Sequence, residues 1–285
     1  MRKARGFTII ELLVVLVIVS LMVAMAAMVT RAITSQQRRS LTATRMQGVD
    51  AAIVQYVQQQ RRLPCPADGS IASAGAGAGV EMARTDPAGC TTDQSMGVVP
   101  WVTLGLTEAD ATDGWERRMT YRLQSALAAL NAMDMSSCDP AGTGGLAAGG
   151  LCLPPPGCSN ANLIGCTAPT TFLNTKGLLV QTVPGVVTMN PAGAPPTGAA
   201  YVVISHGESG GGGYLNTGVL YTSITTDGTE EQKNYANLAL RGPPLYYVDD
   251  SISDAPVAAT HFDDIVSRPS LLSVITKAGL GPRSH

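Results

Sequence analysis

Between Phe7 and Val29 every residue is uncharged except Glu11, and Arg2, Lys3 and Arg5 stand immediately before the run. As a helix rising 1.5 Å per residue, the run spans about 35 Å, enough for the hydrocarbon core of a bilayer. The basic residues keep the N-terminus cytoplasmic and send the rest of the chain outward. An ordinary secretory signal has a shorter apolar region that is discarded after a small-residue cleavage site, whereas here the span carries a carboxylate near its membrane entry. Placed centrally, such a group costs about 2.5–3.5 kcal/mol to insert, so Glu11 calls for a partner.

Beyond Thr30 polar residues return, with Gly48 as the one glycine before Leu63 and no proline. Met46, Val49, Ile53 and Tyr56, with Ala52 and Val57 beside them, recur at three and four residues, which predicts a helical stripe continuing the first helix. Arg38, Arg39, Arg45, Gln47, Asp50, Gln58 and Gln59 occupy much of the other face. Pro64 supplies the stop. One helix therefore has a lipid-compatible first half and an amphipathic second half that needs a globular partner.

Thirty-one glycines and eighteen prolines predict a modest core carrying long loops in the remainder. Cys65, Cys90, Cys138, Cys152, Cys158 and Cys166 all follow the apolar segment, are even in number and form no CxxC pair. Wide spacing within Gly/Pro/Ser-rich loops predicts disulfides in an oxidising compartment, with the pairing left open. Trp101 and Trp115 are expected to anchor the head on the helix. Met135 to Thr171, holding four of the cysteines, reads as a stapled surface excursion. Candidate strands lie at Gly177–Val183, Ala200–Ser205, Val219–Thr222 and His261–Val266, and a short helix at Ser270–Ala278. Helix first and strands later predict an α+β fold with an antiparallel sheet on the second half of the long helix.

Chemistry is sparse. Gly207-Glu208-Ser209-Gly210-Gly211 matches the G-x-S-x-G nucleophile elbow, with Asp249, Asp250, Asp254 and His261 downstream, so a membrane-tethered serine hydrolase is the remote enzymatic alternative. The elbow needs a helix directly after its serine, and Gly210 to Gly213 is a poor start for one, so a glycine-rich turn is expected. His206, His261 and His285 show no metal spacing, and no P-loop or dinucleotide fingerprint occurs. With a net charge of −2 and no basic run interleaved with aromatics beyond the N-terminus, nothing indicates nucleic-acid binding.

The stretch from Gly6 through Phe7 and Glu11 to Val15 resembles the class III signal of type IV pilins and pseudopilins. The resemblance implies cleavage by a prepilin peptidase between Gly6 and Phe7, N-methylation of Phe7, and retention of the apolar helix, with Glu11 serving assembly. The LPCPA stretch at Leu63, the V-P-W-x-x-L-G-L element around Trp101 and the D-x-W-x-x-x-x-x-Y-R stretch from Asp113 also resemble a subgroup of bacterial pilin-like proteins. Glu116 stands where that subgroup usually has a small residue.

The resemblance implies a leader at 1–6, a transmembrane and filament-core helix at 7–29, its amphipathic continuation at 30–63 and an extracytoplasmic head at 64–285. It further implies a non-enzymatic minor pilin or pseudopilin of a type IV pilus or type II secretion filament, or alternatively a filament-tip adhesin. Implied partners are other pilin or pseudopilin subunits, the prepilin peptidase, the inner-membrane assembly platform and the membrane itself. The chain is expected first in the bacterial inner membrane, then in an extracytoplasmic filament. No cofactor is expected; because some pseudopilins bind calcium near their C-terminal loops, Asp249, Asp250 and Asp254 are weak calcium candidates that otherwise read as a solvated loop.

Overall fold

A computed structural model describes residues 9–91, 97–182, 185–222, 228–235, 246–253 and 260–285. Helix α1 runs unbroken from Ile9 to Gln60. It ends before the prolines: Arg61 turns into the left-handed region at φ 54° while its amide still bonds the Val57 carbonyl at 2.8 Å. Thr42, Met46, Val49, Ile53 and Val57 are buried along one face, which is the predicted stripe lengthened by one turn. Asp50, read as part of the solvent face, instead accepts hydrogen bonds from the Tyr201 hydroxyl at 2.9 Å and the Ser267 hydroxyl at 2.6 Å. It therefore ties the helix to two strands.

Those strands belong to a five-stranded antiparallel sheet: β1 (Ala67–Asp68), β2 (Gly97–Val98), β3 (Thr120–Leu123), β4 (Tyr201–Ser205) and β5 (Ile265–Ser267), whose spatial order follows chain order. Thr120 pairs with Ile204 in the β3–β4 ladder, and Ile265 pairs with Ser205 between β5 and β4. β4 is buried at all five positions, so it reads as a continuous apolar run rather than an alternation. Tyr121 and Tyr201 meet across the ladder with ring centroids 5.7 Å apart, within a core shared with Ile53, Leu63 and Val203. The expectation of an α+β fold with a long helix on an antiparallel sheet is met.

Three of the expected strands fall short of what the sequence implied. Val180–Gln181 is all that forms of Gly177–Val183 among the described residues, and it pairs in parallel with Tyr247–Val248. His261–Val266 contributes only its end to β5. Val219–Thr222 makes a single bridge, Leu220 to Tyr214, because Gly218 at φ 79° turns the chain back at once and Gly212 and Gly213 interrupt the partner. Within the predicted C-terminal segment a helix forms, α3 (Leu271–Lys277), capped by the Ser270 hydroxyl and buried through Leu271, Val274 and Ile275; a shorter helix, α2, spans Pro169–Leu173.

All six cysteines pair: Cys65 with Cys90, Cys138 with Cys152, and Cys158 with Cys166. The last two bridges make Met135–Thr171 a folded excursion. Its own backbone bonds, such as Gly144 amide to Cys166 carbonyl at 2.7 Å, close it on itself. Where the head begins, Arg62 donates twice to Glu81, at 2.8 and 2.9 Å, and Tyr56 and the Cys65 amide donate to the same carboxylate at 3.0 Å. Burial alone would raise the Glu81 carboxyl, but the Arg62 and Cys65 bonds outweigh it and hold it below its ordinary value.

The head's lowest grip on α1 is the turn at 112–116. Arg45 donates to the Thr112 and Asp113 carbonyls, and the Gly114 amide bonds the Thr42 hydroxyl at 2.9 Å. The Asp113 carboxylate accepts the Trp115 and Arg117 amides, each at 2.9 Å, and the Ser205 hydroxyl. Glu116 is thereby held at φ 66°, a conformation that favours glycine. Trp101 is buried in the core under the Arg118 guanidinium, whereas Trp115 is only partly buried and its indole nitrogen has no hydrogen-bond partner among the described residues.

Candidate functional site

Ile9–Ala27 is the segment of α1 that the other described residues leave unburied. Its nineteen residues have a mean hydropathy of 2.9 and none is buried. Large side chains line it all round, from Ile9 at 80% exposed to Leu21 at 60%. In water a helix apolar on every face would have no stable place; in a bilayer it satisfies its backbone internally while presenting only hydrocarbon. At 1.5 Å per residue it is about 28 Å long, close to the thickness of a hydrocarbon core.

Hydroxyl side chains in and beyond this segment bond the carbonyls of their own helix. The Ser20 hydroxyl donates to the Val17 carbonyl at 2.8 Å, and Thr30 and Thr34 donate to the carbonyls four residues back at 2.8 and 2.9 Å. Each hydroxyl spends its proton inside its own helix, as Thr42 and Thr44 also do in the packed half. Glu11 lies in the first described turn of α1. Gly6 and Phe7 lie outside the described residues.

The remaining sequence candidates are scattered over the head. Asp249 receives the Arg268 guanidinium, Asp250 accepts the Ser251 amide at 2.7 Å, and Asp254 lies outside the described residues. Ser209 is followed by a turn, as expected, with Gly210 and Gly212 at positive φ. Its hydroxyl bonds the carboxylates of Asp263 at 2.9 Å and Glu231 at 3.1 Å. His261 Nδ1 in turn meets Glu231 at 2.8 Å. The order is serine, carboxylate, imidazole, whereas the hydrolase triad sets the imidazole next to the serine hydroxyl. His206 Nε2 bonds the Thr120 hydroxyl at 2.8 Å, and His285 bonds the Ser136 carbonyl at 3.1 Å. The grouping of Ser209, Glu231, His261 and Asp263 escaped sequence reasoning because its members come from three separate segments with no local motif.

Residues 1–27 match the family model described as the prokaryotic N-terminal methylation motif. No curated protein and no solved structure matches the chain. The motif and the bare apolar helix together are those of a type IV pilin-like class III signal, a segment suited to membrane anchoring. The long helix, antiparallel sheet and three disulfides fit a pilin-like fold.

Proposed function

We propose that this chain is a minor pilin or pseudopilin, a structural subunit cut by prepilin peptidase between Gly6 and Phe7 and built into a filament through α1. The observation that carries the reading is the methylation motif at residues 1–27 joined to an apolar helix that no other described residues bury. In this reading residues 1–6 are the leader, 7–29 the membrane and filament-core helix, 30–63 its continuation and 64–285 the extracytoplasmic head. Other subunits replace lipid around Ile9–Ala27 when the filament grows.

That exchange gains little hydrophobic energy, since lipid tails are as apolar as the neighbouring helices. Close packing and a charge pair must decide it. The cationic amine of Phe7 on one subunit pairs with Glu11 of another, and the cost of an unpaired buried carboxylate favours one axial register. A low-copy place near a filament tip suits the stapled excursion, which presents Ile164 at 80% exposure between Cys158 and Cys166.

N-terminal sequencing of the purified protein tests the processing step. The expected first residue is N-methylated Phe7; a chain that still begins upstream, or lacks the helix, overturns the proposal. Glu11→Ala is expected to insert and be processed yet to enter filaments less well by at least on the order of tenfold, read from sheared filament fractions.

A further inference from the structure

Three segments distant in sequence meet at one edge of the sheet. They are the turn after β4 that carries Ser209, the short 3-10 turn Glu231–Asn234, and the strand approach that carries His261, Asp263 and Asp264. One ligand atom from each of Glu231, His261 and Asp263 lies within 4.8 Å of the other two. A point between three such atoms is about 2.8 Å from each at most, so contraction by well under about 1 Å reaches the 2.0–2.2 Å of zinc–nitrogen and zinc–oxygen bonds.

The carboxylates are already aimed. Glu231 is held by the Gly228 amide at 2.9 Å and Asp263 by the Ser209 amide at 2.7 Å. Such outer bonds orient ligands and are half of a metal site's design. His261 stands at the rim, its side chain 14% exposed, which leaves an entry path and room for water as a further ligand.

Burial sets the surroundings of these groups. Glu231, Asp263 and Asp264 are 1%, 3% and 3% exposed, so three carboxylates share one nearly dry pocket. The imidazoles facing them are His261 on Glu231 and His206, 3.6 Å from Asp264. The neighbouring guanidinium of Arg117 donates to the Gly207 and Glu208 carbonyls.

We propose that Glu231, His261 and Asp263 form a binding site for a divalent first-row cation of the zinc type, which ties the three segments together. The mixed donor set selects the metal class. Calcium takes six to eight oxygens, whereas one imidazole nitrogen with two carboxylates suits zinc.

The test uses the full-length chain in detergent after chelator treatment, titrated with zinc sulfate and separately with calcium chloride. Zinc is expected to bind once at this site and, at roughly a hundredfold excess over Kd, to raise Tm by about 5 °C or more. Calcium should do neither. His261→Gln removes a rim ligand and is expected to weaken zinc binding by on the order of 100-fold. X-ray absorption of the zinc-loaded wild type should show one nitrogen with oxygen ligands, a readout that holds even if the variant folds poorly. Absence of zinc binding by the wild type, undiminished binding by folded His261→Gln, an all-oxygen shell, or a preference for calcium would each overturn the proposal.

Discussion

Val17 and Val49 belong to the same unbroken helix, yet Val17 is 57% exposed and Val49 is entirely buried. Backbone geometry does not separate them; what differs is the source of the covering surface. Around Val49 the apolar positions form one stripe, closed over by β-strands and α3 of the same chain. Around Val17 they point in every direction, so no single head could cover them. A fully buried aliphatic side chain contributes about 1.5–3 kcal/mol. The packed half of α1 draws this from its own chain; in the proposed reading the apolar half draws it from lipid or from other subunits. One helix thus couples a self-sufficient fold to an interface that another body completes.

The sharpest way to break this comparison is to weaken the packed half. Ile53→Ala empties a wholly buried position between the helix and the sheet core. The expected loss is about 3–4 kcal/mol of head stability, measured by denaturant titration in detergent. A neutral result would mean that the head folds without the helix.

A smaller effect is expected where the two halves meet. A β-carbon on Gly114 would stand 2.5 Å from the Arg38 carbonyl oxygen and 2.8 Å from its α-carbon. Both contacts are backbone, so the turn must lift away from α1 and strain its bond to Thr42. Gly114→Ala should cost about 2 kcal/mol, and hydrogen exchange should quicken around 38–45 while residues 53–60 stay protected. Uniform loosening along the helix would erase the boundary drawn here.

Legibility in the sequence follows the same division. The apolar run, the stripe through Met46, Val49, Ile53 and Val57, and the disulfide character of the cysteines could all be read, because each rests on local spacing or composition. The short strands could not be bounded. β1 and β2 have two residues each, too few for alternation to show, and Val219–Thr222 has strand-like side chains but a glycine turn that stops the ladder. The Glu231, His261 and Asp263 cluster was invisible because only tertiary folding assembles it. Glu116 lies between these cases: a small residue was expected there, and the backbone does adopt the left-handed turn that explains why.

That mismatch gives a prediction of opposite sign. Glu116 is exposed and sits at φ 66°, where a side chain costs about 1 kcal/mol. Glycine removes the strain but gives the unfolded chain more freedom to lose. Glu116→Gly should therefore raise head stability by about 0.5 kcal/mol, read as a shift of the denaturation midpoint at constant slope. Destabilisation would show that the carboxylate, and not the backbone, makes the turn.

The smallest effect on folding is expected from Val17→Ala. Two methyl groups leave a surface that the head never touches, and helix propensity rises slightly, so head stability should change by no more than about 0.5 kcal/mol. The same substitution removes apolar contact area from the segment proposed to pack against other subunits. Filament incorporation should fall while the melting curve stays in place. Because packing carries most of the association of apolar helices in lipid, even one lost contact is read at the interface and not in the monomer. A shifted melting curve with normal incorporation would reverse the assignment, making Ile9–Ala27 part of the head's own fold.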